Sequence, residues 1–314
     1  MSAVELIDEE AREADPGDSE LGKTRERRSA RPHDVDGALD DPGVARSAVP
    51  QHAPIVHAEA GSGPVLVLVH GHPFDREMWW PQLEAFAGRF RVIAPDLRGY
   101  GESPPRPGTV TMAELSDDVW SLLDALAVDT AAVIGLSMGG LVAMEMAIAR
   151  PQRLWALGLV ATTAQPVTAQ ERRERLAMAD LVEHEGIEPL VAAMAPRLFG
   201  DAPNERVVEA VLAMMRRANP VGAAAALRGR ANRPDYRPAL RKLELPVFVC
   251  AGTDDAWSTA DVTSELVGCL RDPIVVTLHG VGHLPNLEVP DRFNDELAAF
   301  LAQPHQRGAA TARR

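Results

Sequence analysis

The sequence predicts an α/β protein with a mostly parallel, doubly wound sheet. Seven short runs of β-branched and other apolar residues, typical of buried strands, are separated by longer segments with helical periodicity. Strand and helix alternate about every 25 to 30 residues, the pattern of a parallel sheet covered by helices. A chain of 314 residues with 46% hydrophobic content can form one large domain of this class or two smaller ones. The predicted strands are residues 55–58, 65–69, 92–95, 131–134, 157–161, 246–251 and 274–278.

The first helices have recognisable start signals. Pro81 precedes a helix predicted over residues 82–87. Thr111 and Glu114 have the spacing of a capping box, which opens a helix that runs to about residue 127. A helix is also predicted over residues 141–149, ending before a proline, and a closing helix over residues 291–301.

The motif GLSMGG places Ser137 on a turn between a predicted strand and a predicted helix. A serine in such a turn has a strained backbone and an exposed hydroxyl, and the small residues Gly135 and Gly139 keep the turn free of clashes. The backbone N–H of Met138 then points to where an oxyanion would form. The pattern predicts that Ser137 is a nucleophile and that Met138 contributes to an oxyanion hole.

Polar residues in the turns HGHPF and DLRGYGES also follow strands. We interpret the N–H of His72 as the second oxyanion donor, because its turn lies at the same sheet edge as Ser137. The imidazoles of His70 and His72 are interpreted as structural or pocket-lining groups. Asp96 is expected to accept from amides in its turn and Arg98 to pair with nearby acids, the alternative being a catalytic role.

The alternation of strands and helices stops between residues 162 and 241, where only helical patterns occur. An all-helical insert over the active edge of a sheet would be a lid. Leu and Met at helical spacing usually form a buried face, although flexible Met side chains also suit a pocket that tolerates different apolar ligands. The predicted helices are residues 170–185, 187–198, 205–217 and 221–230.

Two acids and two histidines compete for the remaining catalytic positions. Asp254 and Asp255 follow one late strand, and His279 and His283 follow the last strand. Ligands of an open α/β sheet bind outside the carboxyl ends of its strands. Ser137, Asp255 and His283 can therefore reach one edge.

Five motifs in one order carry a family resemblance: HGHPF at 70–74, DLRGYGES at 96–103, GLSMGG at 135–140, GTDD at 252–255 and GVGHLPNLE at 280–288. Together with the order serine, acid, histidine, they resemble the α/β-hydrolase-fold serine hydrolases, which place a helical lid after strand 6. The resemblance implies that Ser137 attacks a carbonyl carbon, His283 transfers the proton and Asp255 orients the imidazole. It selects Asp255 over Asp254, because the family acid lies three residues after the glycine, and the G-H-x-P context selects His283 over His279.

The chain is most similar to enol-lactonases and small-molecule esterases within that family. The resemblance implies a cofactor-independent enzyme without a metal that acts on a small carboxylic ester or lactone. Alternatives are a C–C bond hydrolase or perhydrolase on the same fold, and a small-molecule receptor or signalling protein. Candidate pocket residues are Phe74, Met194, Phe199 and Trp257.

Composition excludes several other classes of protein. The net charge of −13 and the absence of a basic stripe argue against a nucleic-acid partner, and no apolar stretch has the length of a membrane span. Cys250 and Cys269 give neither a disulfide framework nor metal-ligand spacing. The acidic N-terminus lacks an apolar signal core, so a cytoplasmic location is expected. The oligomeric state is left open.

Residues 1–50 differ in composition from the rest of the chain. They hold 13 Asp and Glu against 7 Lys and Arg, with few aromatic residues, so a disordered acidic leader is expected. The predicted core comprises residues 51–161 and 242–303, with the lid at 162–241 and a frayed tail at 304–314.

Overall fold

The structure, a computed structural model, describes residues 55–303. The expected leader, residues 1–50, and the expected tail, residues 304–314, lie outside the described residues. No helix in the described part of the chain is long and apolar enough to cross a membrane. The strands are β1 (His57–Ala60), β2 (Val65–Val69), β3 (Arg91–Pro95), β4 (Ala131–Leu136), β5 (Leu154–Val160), β6 (Val247–Gly252) and β7 (Ile274–Leu278).

These strands form one seven-stranded sheet in the order β1-β3-β2-β4-β5-β6-β7. β1 pairs with β3 in the antiparallel direction, and the other neighbouring strands are parallel. The predicted class, a mostly parallel sheet, is confirmed. Parallel neighbours end at the same edge, so the turns that follow β2, β4, β6 and β7 meet there.

Helices cover both faces of the sheet. They are α1 (Trp80–Phe86), α2 (Met112–Ala125), α3 (Met138–Ala149), α4 (Ala169–Glu185), α5 (Glu188–Met194), α6 (Glu205–Arg216), α7 (Pro220–Arg230), α8 (Arg237–Leu240), α9 (Ala260–Val267), α10 (Pro285–Glu288) and α11 (Pro290–Leu301). The capping box of Thr111 and Glu114 is present at the start of α2, as predicted. The sequence reasoning missed α9, a helix of eight residues that buries only Leu266.

The central strand β2 divides its side chains between two hydrophobic cores. Leu66 and Leu68 pack on the face that also holds Phe86 and Phe293. Val67 and Val69 belong to the core on the opposite face, with side chains from α2 and α3. The continuous Val and Leu run of β2 is explained by this burial on both faces.

The helical insert, residues 162–241, follows β5, the fifth described strand, rather than a sixth. Its helix α7 lies directly against the loops that precede α2. The N–H of Val110 donates to the carbonyl of Ala225 at 3.0 Å. A Cβ atom on Gly229 would lie 1.8 Å from the Val110 carbonyl oxygen, and one on Gly222 would lie 2.0 Å from that of Gly99. Glycine is needed at these two positions because the backbones touch.

Candidate active site

Ser137 lies on a strained turn between β4 and α3. Its φ is 55° and its ψ −112°, a region that residues with a Cβ atom rarely adopt. The Ser137 N–H donates to the Val160 carbonyl at 2.9 Å, which ties the turn to the neighbouring strand. A Cβ atom on Gly135 would lie 2.1 Å from the Gly139 carbonyl oxygen, and one on Gly139 would lie 2.1 Å from that of Val69. The predicted turn and the need for both glycines are confirmed.

Two backbone N–H groups are available beside this serine. Met138 is the first residue of α3, so its N–H has no partner within the helix. The His72 N–H donates no hydrogen bond within residues 55–303. Both residues line the same cavity as Ser137. Both N–H groups therefore lack a protein partner in the described part of the chain and lie on residues that line this cavity.

The side chains of His70 and His72 support the turn after β2. His70 accepts a hydrogen bond from the Leu97 N–H at its Nε2 (2.9 Å), and its Nδ1 lies 2.8 Å from the Gly71 carbonyl oxygen. The Nδ1 of His72 lies 2.6 Å from the Tyr100 hydroxyl. Burial lowers the pKa of His70 and sets that of His72 well below its ordinary value. Both rings are neutral, as their structural interpretation requires.

The carboxylate of Asp255 and the imidazole of His283 form a buried pair. His283 Nδ1 donates to Asp255 Oδ2 at 2.8 Å, and each residue is 3% exposed. Asp255 Oδ1 accepts from the N–H groups of Trp257 (2.8 Å) and Ser258 (3.0 Å). Burial alone would raise the pKa of Asp255, but His283 and these two N–H groups hold it below its ordinary value. The Asp255 carboxylate is therefore ionised, and these hydrogen bonds fix its orientation toward His283.

The structure separates the competing residues. Asp254 accepts a hydrogen bond from the Thr253 hydroxyl at 2.8 Å and forms none with His283. His279 is exposed to solvent after β7. Asp255 and His283 are thus the acid and the histidine that lie together.

The loop that carries His283 is held by one carboxylate. Glu288 accepts from the N–H of Gly282 (3.0 Å) and of Leu284 (3.1 Å), on either side of the histidine. It also accepts from the Gly200 N–H of the insert at 2.9 Å. The His283 N–H itself donates to the Leu198 carbonyl at 2.8 Å. The insert and the histidine loop are therefore joined at this point.

A cavity of about 400 Å³ brings the predicted residues together. Ser137, His283, His72 and Met138 line it together with residues from the helices of the insert. Among the described residues, no hydrogen bond joins the Ser137 hydroxyl to His283. Hydroxyl–imidazole bonds of this kind often tighten only when substrate is bound. In the same part of the chain, no group of His, Cys, Asp and Glu could hold a metal ion.

Two of the four candidate pocket residues line this cavity. Met194 and Trp257 do so, and the Trp257 ring lies 4.8 Å from the His283 ring in an edge-on contact. Phe74 and Phe199 do not line it. Phe74 is 1% exposed in the hydrophobic core, where its N–H closes a turn on the Gly71 carbonyl. Phe199 packs against that core because its backbone abuts the histidine loop.

The alternative of a Met-lined pocket is met only in part, because Met194 is the methionine of the insert among the residues that line the cavity. Met214 and Met215 are buried in the core. The insert instead presents charged groups, which the sequence reasoning missed: Glu171, Glu174, Arg175, Arg197, Arg230 and Arg233. One signal was present, because Arg230 lies three residues after the buried Leu227 and hence on the same face of α7.

Asp96 and Arg98 have the structural roles that were expected of them. Asp96 accepts from the N–H groups of Arg76 (2.8 Å) and Glu102 (2.9 Å). The Arg98 guanidinium pairs with buried Asp118, with Nε 2.7 Å from Oδ2. Neither residue lines the cavity.

Known proteins resemble this chain over most of its length. It is 28% identical to 3-oxoadipate enol-lactonase 1 of Acinetobacter baylyi over 246 residues, or 76% of this chain and 89% of the relative. 3-Oxoadipate enol-lactonase 2 of the same organism is 30% identical over 243 residues, which is 76% of this chain and 88% of the relative. A thermophilic esterase from Thermogutta terrifontis, solved with malate bound, superposes with a TM-score of 0.80 at 35% identity, covering 82% of this chain and 97% of the esterase. The enol-lactonase from Burkholderia xenovorans LB400 superposes with a TM-score of 0.74 at 28% sequence identity. The superposition covers 79% of this chain and 96% of the enol-lactonase.

The fold and the cavity together define a hydrolytic enzyme of the α/β class. The chain belongs to the alpha/beta hydrolase family, whose sequence profile matches residues 66–296. That range contains Ser137, Asp255 and His283. Within the family, the chain is like the enol-lactonases and esterases.

Proposed function

We propose that the protein cleaves a small carboxylic ester or lactone through an acyl-enzyme on Ser137. The observation that carries this proposal is the buried pair of Asp255 and His283, which opens onto the same cavity as the strained serine. A nucleophile, a base and an acid that orients the base are the parts that acyl transfer needs.

In the first half-reaction, the Ser137 hydroxyl attacks the carbonyl carbon and His283 takes its proton. Asp255 stabilises the imidazolium that forms and keeps Nε2 directed at the serine. Collapse of the tetrahedral intermediate releases the alcohol, which takes the proton from His283. In the second half-reaction, water attacks the acyl-enzyme with His283 again as base, and the carboxylic acid leaves.

The N–H groups of His72 and Met138 would stabilise the oxyanion in both half-reactions. Each such donor contributes about 3 kcal/mol to lowering the barrier. The Met138 N–H lies at the start of α3, where the positive end of the helix dipole adds to the effect.

The helical insert is proposed to act as the lid of this site, over a core formed by residues 51–161 and 242–303. Its side chains line the same cavity as Ser137. Cys250 and Cys269 are buried and unpaired, which supports the proposal of a reducing, cytoplasmic location.

Replacement of the serine tests the proposal. Wild-type protein is expected to hydrolyse p-nitrophenyl esters of short acids, and Ser137→Ala to lose this activity while keeping the circular dichroism spectrum and melting temperature of the wild type. A correctly folded Ser137→Ala protein with full activity would show that the proposal is wrong.

A further inference from the structure

The insert contributes more positive than negative side chains to the lining of the cavity that contains Ser137, although the whole protein is acidic. Four arginines of the insert line the cavity against two glutamates, although the whole chain has a net charge of −13. The arginines are Arg175 on α4, Arg197 beside α5, Arg230 on α7 and Arg233 just beyond it.

Arg230 has no protein partner for its charge. It forms no ion pair or hydrogen bond with any residue between 55 and 303, and its Nε is buried without a partner. The residue as a whole is half-buried, so an anion or water in the cavity can satisfy its remaining donors. Burial, followed by repulsion from Arg175 and Arg233, lowers the pKa of Arg230 to about 9, which leaves it charged at neutral pH.

The two neighbouring arginines are only partly satisfied. Arg233 forms no ion pair within the described chain and donates its Nε–H to the Gln165 carbonyl at 3.1 Å. Arg175 has one contact with Glu171 at 3.4 Å, and its second amino group, Nη1, is buried without a partner. Burial, followed by repulsion from Arg175, lowers the pKa of Arg233 to about 10.

The two glutamates of the cavity offset the charge of the four arginines only in part, and each also accepts hydrogen bonds from neutral groups. Oε2 of Glu171 accepts from the N–H and the hydroxyl of Thr168 in the capping box of α4. Glu174 accepts from the Gln170 side chain at 2.6 Å. An excess of positive charge and of unused N–H donors therefore faces the cavity.

We propose that Arg175, Arg230 and Arg233 form a carboxylate-binding subsite, so that the substrate is an ester or lactone that also carries a free carboxylate. This inference rests on the proposed function for the reacting group and adds the chemistry of the rest of the substrate. The fork of guanidinium donors matches the two oxygens of a carboxylate, and such charge-assisted bonds are among the stronger ones in proteins. Discrimination against a neutral analogue arises because that analogue leaves the arginines unpaired.

Two matched pairs of substrates test the subsite. On the acyl side, mono(p-nitrophenyl) adipate is compared with methyl p-nitrophenyl adipate. On the alcohol side, p-acetoxybenzoate is compared with its methyl ester. In wild-type protein, kcat/KM for the carboxylate member of at least one pair is expected to exceed that of the neutral member by about tenfold or more. Equal rates within both pairs would overturn the inference.

Substitution of Arg230 separates a binding role from a structural one. Arg230→Gln is expected to remove most of the preference for the carboxylate member, because kcat/KM falls much more for that member than for the neutral one. The matched control is Arg228→Gln, on the same helix, because Arg228 pairs with Asp180 and Glu183 and does not line the cavity. If kcat/KM falls by the same factor for both members in Arg230→Gln, the guanidinium has a structural role only, and the inference is overturned.

Calorimetric titration with adipate keeps the test independent of catalysis. Adipate is expected to bind Ser137→Ala protein saturably, dimethyl adipate to bind at least about tenfold more weakly, and Arg230→Gln to weaken adipate binding by a similar factor. Adipate that does not bind, or binds equally to Arg230→Gln, contradicts the subsite. If no ester is hydrolysed, the proposed function fails, and this titration still decides whether the arginines bind a carboxylate.

Discussion

At the scale of single residues, the turn around Ser137 leaves no room for a side chain at Gly139. A Cβ atom there would meet the Val69 backbone at 2.1 Å, and backbone cannot move aside as a flexible side chain can. We expect Gly139→Ala to lower the free energy of unfolding by about 1–3 kcal/mol or more and to reduce the activity. Urea denaturation measures the first effect.

Gly88→Ala is the control for this substitution. A Cβ atom on Gly88 meets nothing within 4 Å, and Gly88 has no positive φ. Equal stability of the two variants would contradict the close packing of the turn.

The charge of Asp255 is expected to matter more than its shape. The asparagine side chain in Asp255→Asn has nearly the size of the aspartate but carries no negative charge. It therefore cannot stabilise an imidazolium, and it places a carboxamide beside His283. We expect kcat to fall about 10³- to 10⁴-fold with a smaller change in KM, as measured by ester hydrolysis at neutral pH. A loss of less than tenfold would remove Asp255 from the mechanism.

The same residue makes stability depend on pH. The pKa of Asp255 in the folded protein lies below its ordinary value of 3.8, so the folded state releases this proton more readily than the unfolded chain. The resulting stabilisation is complete above the unfolded pKa and is lost as the pH falls through the folded one. We expect the difference in unfolding free energy between wild type and Asp255→Asn to shrink as the pH falls below about 4. A difference that grows as the pH falls would reverse this account.

At the scale of elements, Glu288 links the histidine loop to the insert through three backbone N–H groups. Glu288→Gln removes the negative charge of this side chain. It also places a side-chain NH₂ group, which donates hydrogen bonds, against backbone N–H groups that cannot accept them. We expect a lower melting temperature and a fall in kcat of about tenfold or more, because the position of His283 is loosened. The control is Glu296→Gln, an exposed residue of α11. Unchanged kcat in Glu288→Gln would restrict Glu288 to a role in stability.

Strands that consist of an unbroken apolar run could be predicted from the sequence, and a strand without such a run could not be placed accurately. β2 was predicted with its observed bounds, because each of its residues faces one of two cores. β1 was placed at residues 55–58 but spans His57–Ala60, since its half-buried and exposed residues leave no apolar run.

The polar lining of the cavity was missed for a related reason. Helical periodicity shows which face of α7 is buried, but the periodicity does not reveal that the end of this face opens onto a cavity. Only the docking of α4 and α7 on the core brings Arg175 and Arg230 together.

At the scale of the whole molecule, the insert is not attached evenly to the core. α7 is locked by backbone contact at Gly222 and Gly229 and by the hydrogen bond from Val110 to Ala225. We expect the amides of α7 to exchange with deuterium as slowly as those of α3, so that any opening of the lid is confined to parts of the insert other than α7 and the junction at residues 198–200. Hydrogen exchange with mass spectrometry checks this, and exchange in α7 far faster than in α3 would contradict it.

The meeting of Ser137, Asp255 and His283 was predictable because of the topology of the sheet. The turns that carry them follow parallel strands, whose carboxyl ends share one edge. The choice between Asp254 and Asp255 needed the family pattern, and the structure agrees with it through the bond to His283. The docking of the insert follows from no sequence period, so Phe199 was wrongly placed in the pocket. Phe74 was misplaced for another reason, because the turn after β2 directs it into the hydrophobic core.

The central claim is that Ser137 is a nucleophile activated by His283 and Asp255. The most direct measurement is covalent labelling with a fluorophosphonate, followed by intact-mass and peptide mass spectrometry. We expect one adduct per chain, on the peptide that contains Ser137, and none in Ser137→Ala protein. Folded wild-type protein that stays unlabelled, or that is labelled at another residue, would contradict the account and favour a small-molecule receptor with a hydrolase fold.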